Sequence, residues 1–427
     1  MKRYQRVLFS ILCLAFILLF VQNVAMTVIA PDLRRDLGLS ADQIGALGGA
    51  YMYAYACSQF FSGIMAARFG PRRVLCSMFV LSAFGGLLLI STQSYSLGLV
   101  SRMLTGMGTA VVMASAVTLF SRWYPPEAYV RLSAWFFAIG GLGNYIGTAP
   151  FSWINTAAGW RFSYGLVALA TLAVSVGIWA IVRDWPPTLS SAAEKPLVEN
   201  RRITLTEIGH NLQYIATKPD FWRLIVWFAT LPGLFYAFAG LWAGAYFQDI
   251  YGLSRNETGN LLAMGALGFI VGNPLLAWFC RHQLKSYRLG LGLAGPVGFA
   301  ASWLLVFHTD SLSLPQLYGM MLAIGMAANA PNAVASEMAR KLFGNTMLGS
   351  VGGLFGFSAF IGGACLQMLI GLIIDQAEAA SLPPVQVYSR AFMPFLFCTA
   401  CNTVAGLTLT ETFGKPGADD QGKRGTT

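Results

Sequence analysis

The chain alternates long apolar runs with short polar breaks. Twelve runs reach the roughly 20 residues that a membrane-crossing helix needs: 7–30, 42–66, 74–93, 97–120, 131–154, 162–182, 221–247, 257–280, 289–308, 313–338, 348–374 and 388–409. The pattern predicts an all-α membrane protein of twelve transmembrane helices arranged as two six-helix bundles. The first run follows Met1-Lys2-Arg3, is too long for the apolar core of a signal peptide, and is read as an uncleaved first helix. The bundles are expected at 1–183 and 221–411, joined by a linker at 184–220 and followed by a disordered tail at 412–427. The linker holds Asp184-Trp-Pro-Pro187, then Thr204-Leu-Thr-Glu207, which reads as a capping box opening a short interfacial helix.

Composition narrows the class. Hydrophobic residues make up 56% of the 427 and charged residues 11%, less than half the roughly 25% of soluble domains. A soluble enzyme and a disordered chain are both excluded. The net charge is +10, but it does not mark a nucleic-acid surface, because the basic residues sit in the breaks between runs. With the N-terminus placed inside, 22 of the 28 Lys and Arg fall on the inner side. The positive-inside rule then puts both termini in the cytoplasm, and the membrane expected for the chain is the cell (inner) membrane. The seven cysteines lie in apolar runs and read as small hydrophobes, Cys398-x-x-Cys401 included. No metal site, cofactor motif or catalytic constellation emerges; His210, His282 and His308 are scattered.

The two halves repeat. Gly38-Leu39-Ser40-Ala-Asp-Gln43-Ile-Gly45 matches Gly252-Leu253-Ser254-Arg-Asn-Glu257-Thr-Gly259 at an offset of 214 residues. Each copy precedes the second run of its half, with Ser as a candidate N-cap. Parallel repeats of six spans characterise one large class of transporters.

The loop after the second run reads Gly63-Ile-Met-Ala-Ala67-Arg68-Phe-Gly70-Pro-Arg72-Arg73. By itself this is a tight basic turn. Its order, with Arg102-xxx-Gly106-x-Gly108 in run four, Trp123-Tyr-Pro-Pro-Glu127 after it and Gly159-Trp160-Arg161 before run six, resembles the major facilitator superfamily over essentially the whole chain. That resemblance implies alternating-access transport, a gating role for Gly63, Arg68, Gly70, Arg72 and Arg73, and a cavity lined by spans one, four, seven and ten. The acidic residue usual in the family's loop is Ala67 here, so the arginines are expected to lack that partner. Glu337 with Arg340 is a second candidate gate pair. Run five (Gly140 to Pro150) matches the family's antiporter motif only in part.

Charge inside a bilayer is costly and marks function. Arg102 is the one clearly intramembrane charge, and its planar fork suits a carboxylate. The candidate substrate residues are Gln22, Asn23, Tyr51, Tyr55, Arg102, Asn144, Tyr145, Tyr236, Trp242, Asn329, Asn332 and Gln367. The substrate expected is a small organic anion such as a carboxylate. A coupling proton stays open, with Glu337, Asp32 and Asp249 as its candidate carriers. Membrane lipid is the other partner, and the chain reads as a monomer. Two alternatives remain: efflux of amphipathic drug-like compounds by proton antiport, and a non-transporting sensor on a permease fold.

Overall fold

Every regular element among the described residues of this computed structural model is helical; those residues are 2–186, 213–329, 332–344 and 348–414. The first half contains α1 (Lys2–Leu37), α2 (Ala41–Phe69), α3 (Pro71–Ser91), α4 (Tyr95–Thr109), α5 (Val112–Trp123), α6 (Pro126–Ile146), α7 (Ala149–Ala158) and α8 (Trp160–Ile181). In the second half come α9 (Pro219–Ala237), α10 (Ala243–Tyr251), α11 (Arg255–Phe279), α12 (Tyr287–Phe307), α13 (Leu314–Asn329), α14 (Asn332–Phe343), α15 (Leu348–Ala379) and α16 (Pro384–Leu407). Short π-helical segments follow α9 (Phe238–Trp242) and α11 (Cys280–Leu284).

Among the described residues, eight helical stretches are long and apolar enough to cross a membrane. Of the other expected runs, 131–154 is broken between α6 and α7, and 313–338 holds α13 and α14 on either side of 330–331, which lie outside the described residues. The helices α2 and α16 are unbroken, but Ser, Tyr, Gln and Gly dilute their apolar character. The expected capping box at Thr204–Glu207 and the tail from Lys415 lie outside the described residues.

The chain divides into two compact units, Met1–Leu39 with Ala46–Ile203, and Ser40–Gly45 with Thr204–Thr427. In the first, α1 lies on α6 through small residues. A Cβ at Gly143 would overlap the Ile17 carbonyl, and one at Gly147 would press on Val21 and Val24. Phe16 stacks on Phe136 at 4.3 Å. In the second unit α9 and α15 meet backbone to backbone at Gly233 and Gly362, with Phe228 stacked on Phe355 at 4.7 Å below them. The first turn of α2 groups with this unit: Asp375 on α15 accepts from the Ala41 amide (2.7 Å) and the Asp42 amide (2.8 Å).

The repeated segment folds alike at its glycines and differently at its caps. Gly38 and Gly252 both take a left-handed turn, at φ 62° and 63°, a conformation that costs glycine least. Ser254 makes the full capping box with Glu257. Ser40 receives only the backbone half, from its own N–H to Gln43 (3.2 Å). Its hydroxyl donates instead to Asp42.

Carboxylates clip each unit together near helix ends. Asp184, past the end of α8, accepts from the Arg72 amide in the first turn of α3 (2.8 Å). Glu411, past the end of α16, does the same for the first turn of α12, accepting from the Tyr287 amide (3.1 Å) and the Ser286 hydroxyl. At the far ends, Asp36 of α1 takes the Trp160 indole N–H (2.9 Å), and Asp249 of α10 takes the Tyr388 hydroxyl (2.5 Å). The same two connections recur in both halves: α3 to the chain after α8 and α1 to the start of α8 in the first, α12 to the chain after α16 and α10 to the start of α16 in the second.

Candidate functional site

Arg102 sits on α4, and the motif around it explains how it comes to be buried. A Cβ at Gly106 would overlap the Tyr51 carbonyl, and one at Gly108 would overlap Met78 and Ser82. These glycines let α2 and α3 close on α4 and leave Arg102 only 1% exposed. Its NH1 donates to the Tyr164 hydroxyl on α8 (3.0 Å), and its Nε reaches the Leu47 carbonyl at 3.4 Å. The guanidinium lies over the Tyr51 ring, 4.6 Å from its centroid, and Tyr55 stacks on Tyr51 at 6.1 Å. Among the described residues no carboxylate pairs with Arg102. An isolated buried cation is expensive; a hydroxyl, a carbonyl and a π-face offset part of that cost and leave the net charge in place.

The other candidates in the first unit separate into two kinds. Gln22 is fully engaged: it donates to Thr171 (2.8 Å) and accepts from Ser82 (2.8 Å), tying α1 to α8 and α3. Its neighbour Asn23, 2% exposed, has neither amide atom hydrogen-bonded. Asn144 on α6 leaves its Nδ2 buried without an acceptor. Buried polar groups are satisfied in the great majority of cases, so such atoms call for a water or a ligand. Tyr145 is 39% exposed and lies on the outside of its unit.

The second unit gathers Tyr236, Trp242 and Gln367. Tyr236 is half-buried and stacks on Phe360 at 4.8 Å. Gln367 donates to the Tyr236 carbonyl (3.0 Å), and its own carbonyl receives the Trp242 indole N–H (3.0 Å). The Gln367 Oε1 is buried and unbonded. Trp242 closes the π-helical segment, a local widening common at functional sites. Asn329, the last residue of α13, donates to the Phe269 carbonyl (2.5 Å) and so anchors the helix end. Asn332 opens α14, and its side chain lies outside the described set, as does Pro331.

In the basic loop the Arg72 guanidinium finds other partners than an acid. Arg72 is well partnered despite Ala67: its guanidinium donates to the Trp179 carbonyl (Nε at 3.1 Å) and lies over the Trp179 ring at 4.6 Å. Arg68 lies over its neighbour Phe69 at 5.5 Å, and Arg73 is exposed. Gly70 (φ 86°) lets Asp184 close on the turn, and a Cβ at Gly63 would meet open space. Glu337 and Arg340 form the expected ion pair at 2.6 Å. Asp184, Asp375 and Glu411 have no local signal as cross-links in the sequence, because each accepts from backbone amides more than a hundred residues away.

The fold and this site mark a multi-pass membrane transporter. The family model of the Major Facilitator Superfamily matches residues 11–366, and the chain belongs to that family. A probable sulfoacetate transporter of Cupriavidus necator is 23% identical to it over 399 residues, 89% of each chain. The hexuronate transporter of Bacillus subtilis is 25% identical over 392 residues, 87% of this chain and 88% of its own. Among solved structures, a bacterial homolog of the human lysosomal transporter Spinster, inward-facing and unoccupied, superposes with a TM-score of 0.73 over 96% of this chain and 98% of its own, at 17% identity.

Proposed function

We propose that the protein moves a small organic anion, a carboxylate first of all, across the cytoplasmic membrane by alternating access of its two halves. The observation that carries this is Arg102: a buried guanidinium on a membrane helix with no carboxylate partner among the described residues. An anionic solute supplies the missing charge, and guanidinium and carboxylate match fork to fork. The relatives named for sulfoacetate and hexuronate carry organic anions, which supports the same reading.

In this reading the chain crosses the membrane twelve times as a monomer with both termini inside. The helix pairs α4–α5, α6–α7 and α13–α14 then each complete one crossing. In the first unit Asn23 and Asn144 add polar contacts and Gln22 acts as a brace; Tyr236, Trp242 and Gln367 are the second unit's own candidate contacts. The basic loop and the Glu337–Arg340 pair work at the cytoplasmic gate. Of the acids that could carry a coupling proton, Asp32 is the most enclosed, 3% exposed and bonded by Asn155 and Arg35.

The test is a thermal-shift panel of carboxylates, sulfonates, sugars, amino acids and lipophilic cations on the purified protein and on Arg102→Gln. Saturation at about 100 times the dissociation constant stabilises by roughly 2.7 kcal/mol. Stabilisation by an organic anion that disappears in Arg102→Gln supports the reading. Stabilisation by lipophilic cations alone, unchanged in the variant, overturns it in favour of amphipath efflux.

A further inference from the structure

The proposed anion site says nothing of what else the solute must carry. The polar atoms of the first unit do. Helical periodicity sets the faces of α1 at 100° per residue. Gln22 faces α3 and α8, where it bonds Ser82 and Thr171. Val21 and Val24 face α6, against Gly147. Asn23 projects between these two faces and is enclosed, yet its Nδ2 and Oδ1 are both without a partner. A carboxamide presents one donor side and one acceptor side together. A carboxylate satisfies only the donor. A hydroxyl satisfies both, by accepting from Nδ2 and donating to Oδ1.

The position of Asn23 along the bundle is also fixed. Gln22 bonds Ser82, and Ser82 abuts Gly108 on α4. Gly108 lies six residues beyond Arg102 on the same helix, about 9 Å at the α-helical rise. The Gln22–Ser82 contact beside Asn23 therefore lies about 9 Å along the bundle from the Arg102 backbone, a separation that the arginine side chain and a small organic acid together can span.

Resting on the anion reading above, we infer that Asn23 selects a hydroxylated carboxylate. Its charged end is held at Arg102, and a hydroxyl at the opposite end is held by the Asn23 amide. Hydroxyl-free acids of the same length leave both amide atoms unsatisfied and are rejected. A site built to hydrogen-bond a substrate hydroxyl discriminates strongly against the analogue that lacks it.

The experiment measures binding to purified wild type, Asn23→Leu and Arg102→Gln by isothermal titration calorimetry. The probes are two matched pairs, gluconate against hexanoate and 4-hydroxybenzoate against benzoate. In at least one pair, wild type should bind the hydroxylated member about tenfold or more tightly than its partner. Asn23→Leu should erase that preference by weakening the hydroxylated member while changing the hydroxyl-free one less than about twofold. Arg102→Gln should weaken both members alike. Equal binding of both members by wild type, equal loss of both in Asn23→Leu, or no binding of either pair overturns the inference. The anion reading fails separately, when no organic anion in the wider panel stabilises wild type. Unfolding temperature of Asn23→Leu at or above that of wild type shows that the variant is folded.

Discussion

Replacing Arg102 by glutamine should change the stability of the ligand-free protein little, which is unusual for so deeply buried a charged residue. The substitution removes the hydrogen bond to Tyr164 at 3.0 Å, worth about 1.5–3 kcal/mol when the donor is charged. It also removes the guanidinium from the Tyr51 ring at 4.6 Å, worth about 2 kcal/mol when desolvated. The contact to the Leu47 carbonyl at 3.4 Å adds little. Against these losses stands relief of a buried cation that no described carboxylate neutralises, itself several kcal/mol. The opposing effects are of similar size, so the net change should lie within about 2 kcal/mol of zero. Had Arg102 been half of a buried ion pair, its removal would cost about 3–5 kcal/mol. Equilibrium unfolding in mixed detergent micelles measures the difference directly. A loss in that larger range would mean that a partner inside the protein already neutralises the guanidinium, and the anion site built on it would fall.

Neighbouring residues on α1 should behave oppositely. Gln22→Leu strands the Ser82 hydroxyl, while Thr171 keeps its bond to the Val167 carbonyl, and should cost about 1–3 kcal/mol; Asn23→Leu removes two already unpaired atoms and should hold or raise the unfolding temperature. Gly362→Val forces a side chain against the Ala229 backbone and should destabilise by about 1–3 kcal/mol, whereas Gly352→Val, with open space at its Cβ, should be nearly neutral; paired thermal melts check both. At Glu411 burial pushes the carboxyl up, but hydrogen bonds from Ser286, Phe413, Tyr287 and Thr412 outweigh it and bring the pKa below the ordinary value. The stabilisation is therefore complete above the unfolded-state value, about pH 4.3, and is lost as pH falls through the lower folded-state value. Glu411→Gln should flatten that acid limb in melts taken between pH 6 and pH 3, and an unchanged limb would assign it to other groups.

The long rods were legible in the sequence because apolar length is a local property. The family was legible because Gly63 to Arg73 and Arg102 to Gly108 carry their spacing in plain view. What escaped was set by packing. Nothing in Phe-Ala-Gly-Leu-Trp announces a π-helical turn, and nothing at Ala110–Val111 announces the break between α4 and α5. The repeat predicted equal caps at Ser40 and Ser254. Only Ser254 keeps the box, because Asp375 takes the first amides of α2 and Asp42 draws off the Ser40 hydroxyl. The glycines of run eleven looked alike, yet Gly362 touches a backbone and Gly352 and Gly353 touch nothing. The amides looked alike as well, and only the three-dimensional partners separate Gln22, a brace, from Asn23, whose amide bonds no other side chain or carbonyl.

The placement of the carboxylates gives the anion reading its physical sense. Asp32, Asp36, Asp184, Asp249, Asp375 and Glu411 all lie toward helix ends, and each is held by backbone amides, hydroxyls, amide side chains, an indole or a nearby arginine. Glu337 is held by Arg340. These acids fasten each unit internally, so none of them is the counter-ion of Arg102. The cation at the centre of α4 is thus left to the polar and aromatic groups around it, which lower its cost without cancelling its charge. An entering anion completes that neutralisation, and the low dielectric that makes an uncompensated guanidinium costly makes the ion pair strong. Binding should therefore survive high salt far better than a surface ion pair would, since a buried pair is screened little. Raising ionic strength from about 0.05 M to about 0.5 M with an inert salt should weaken anion binding by less than about threefold; a steep fall would place the anion at the exposed basic loop and not at Arg102.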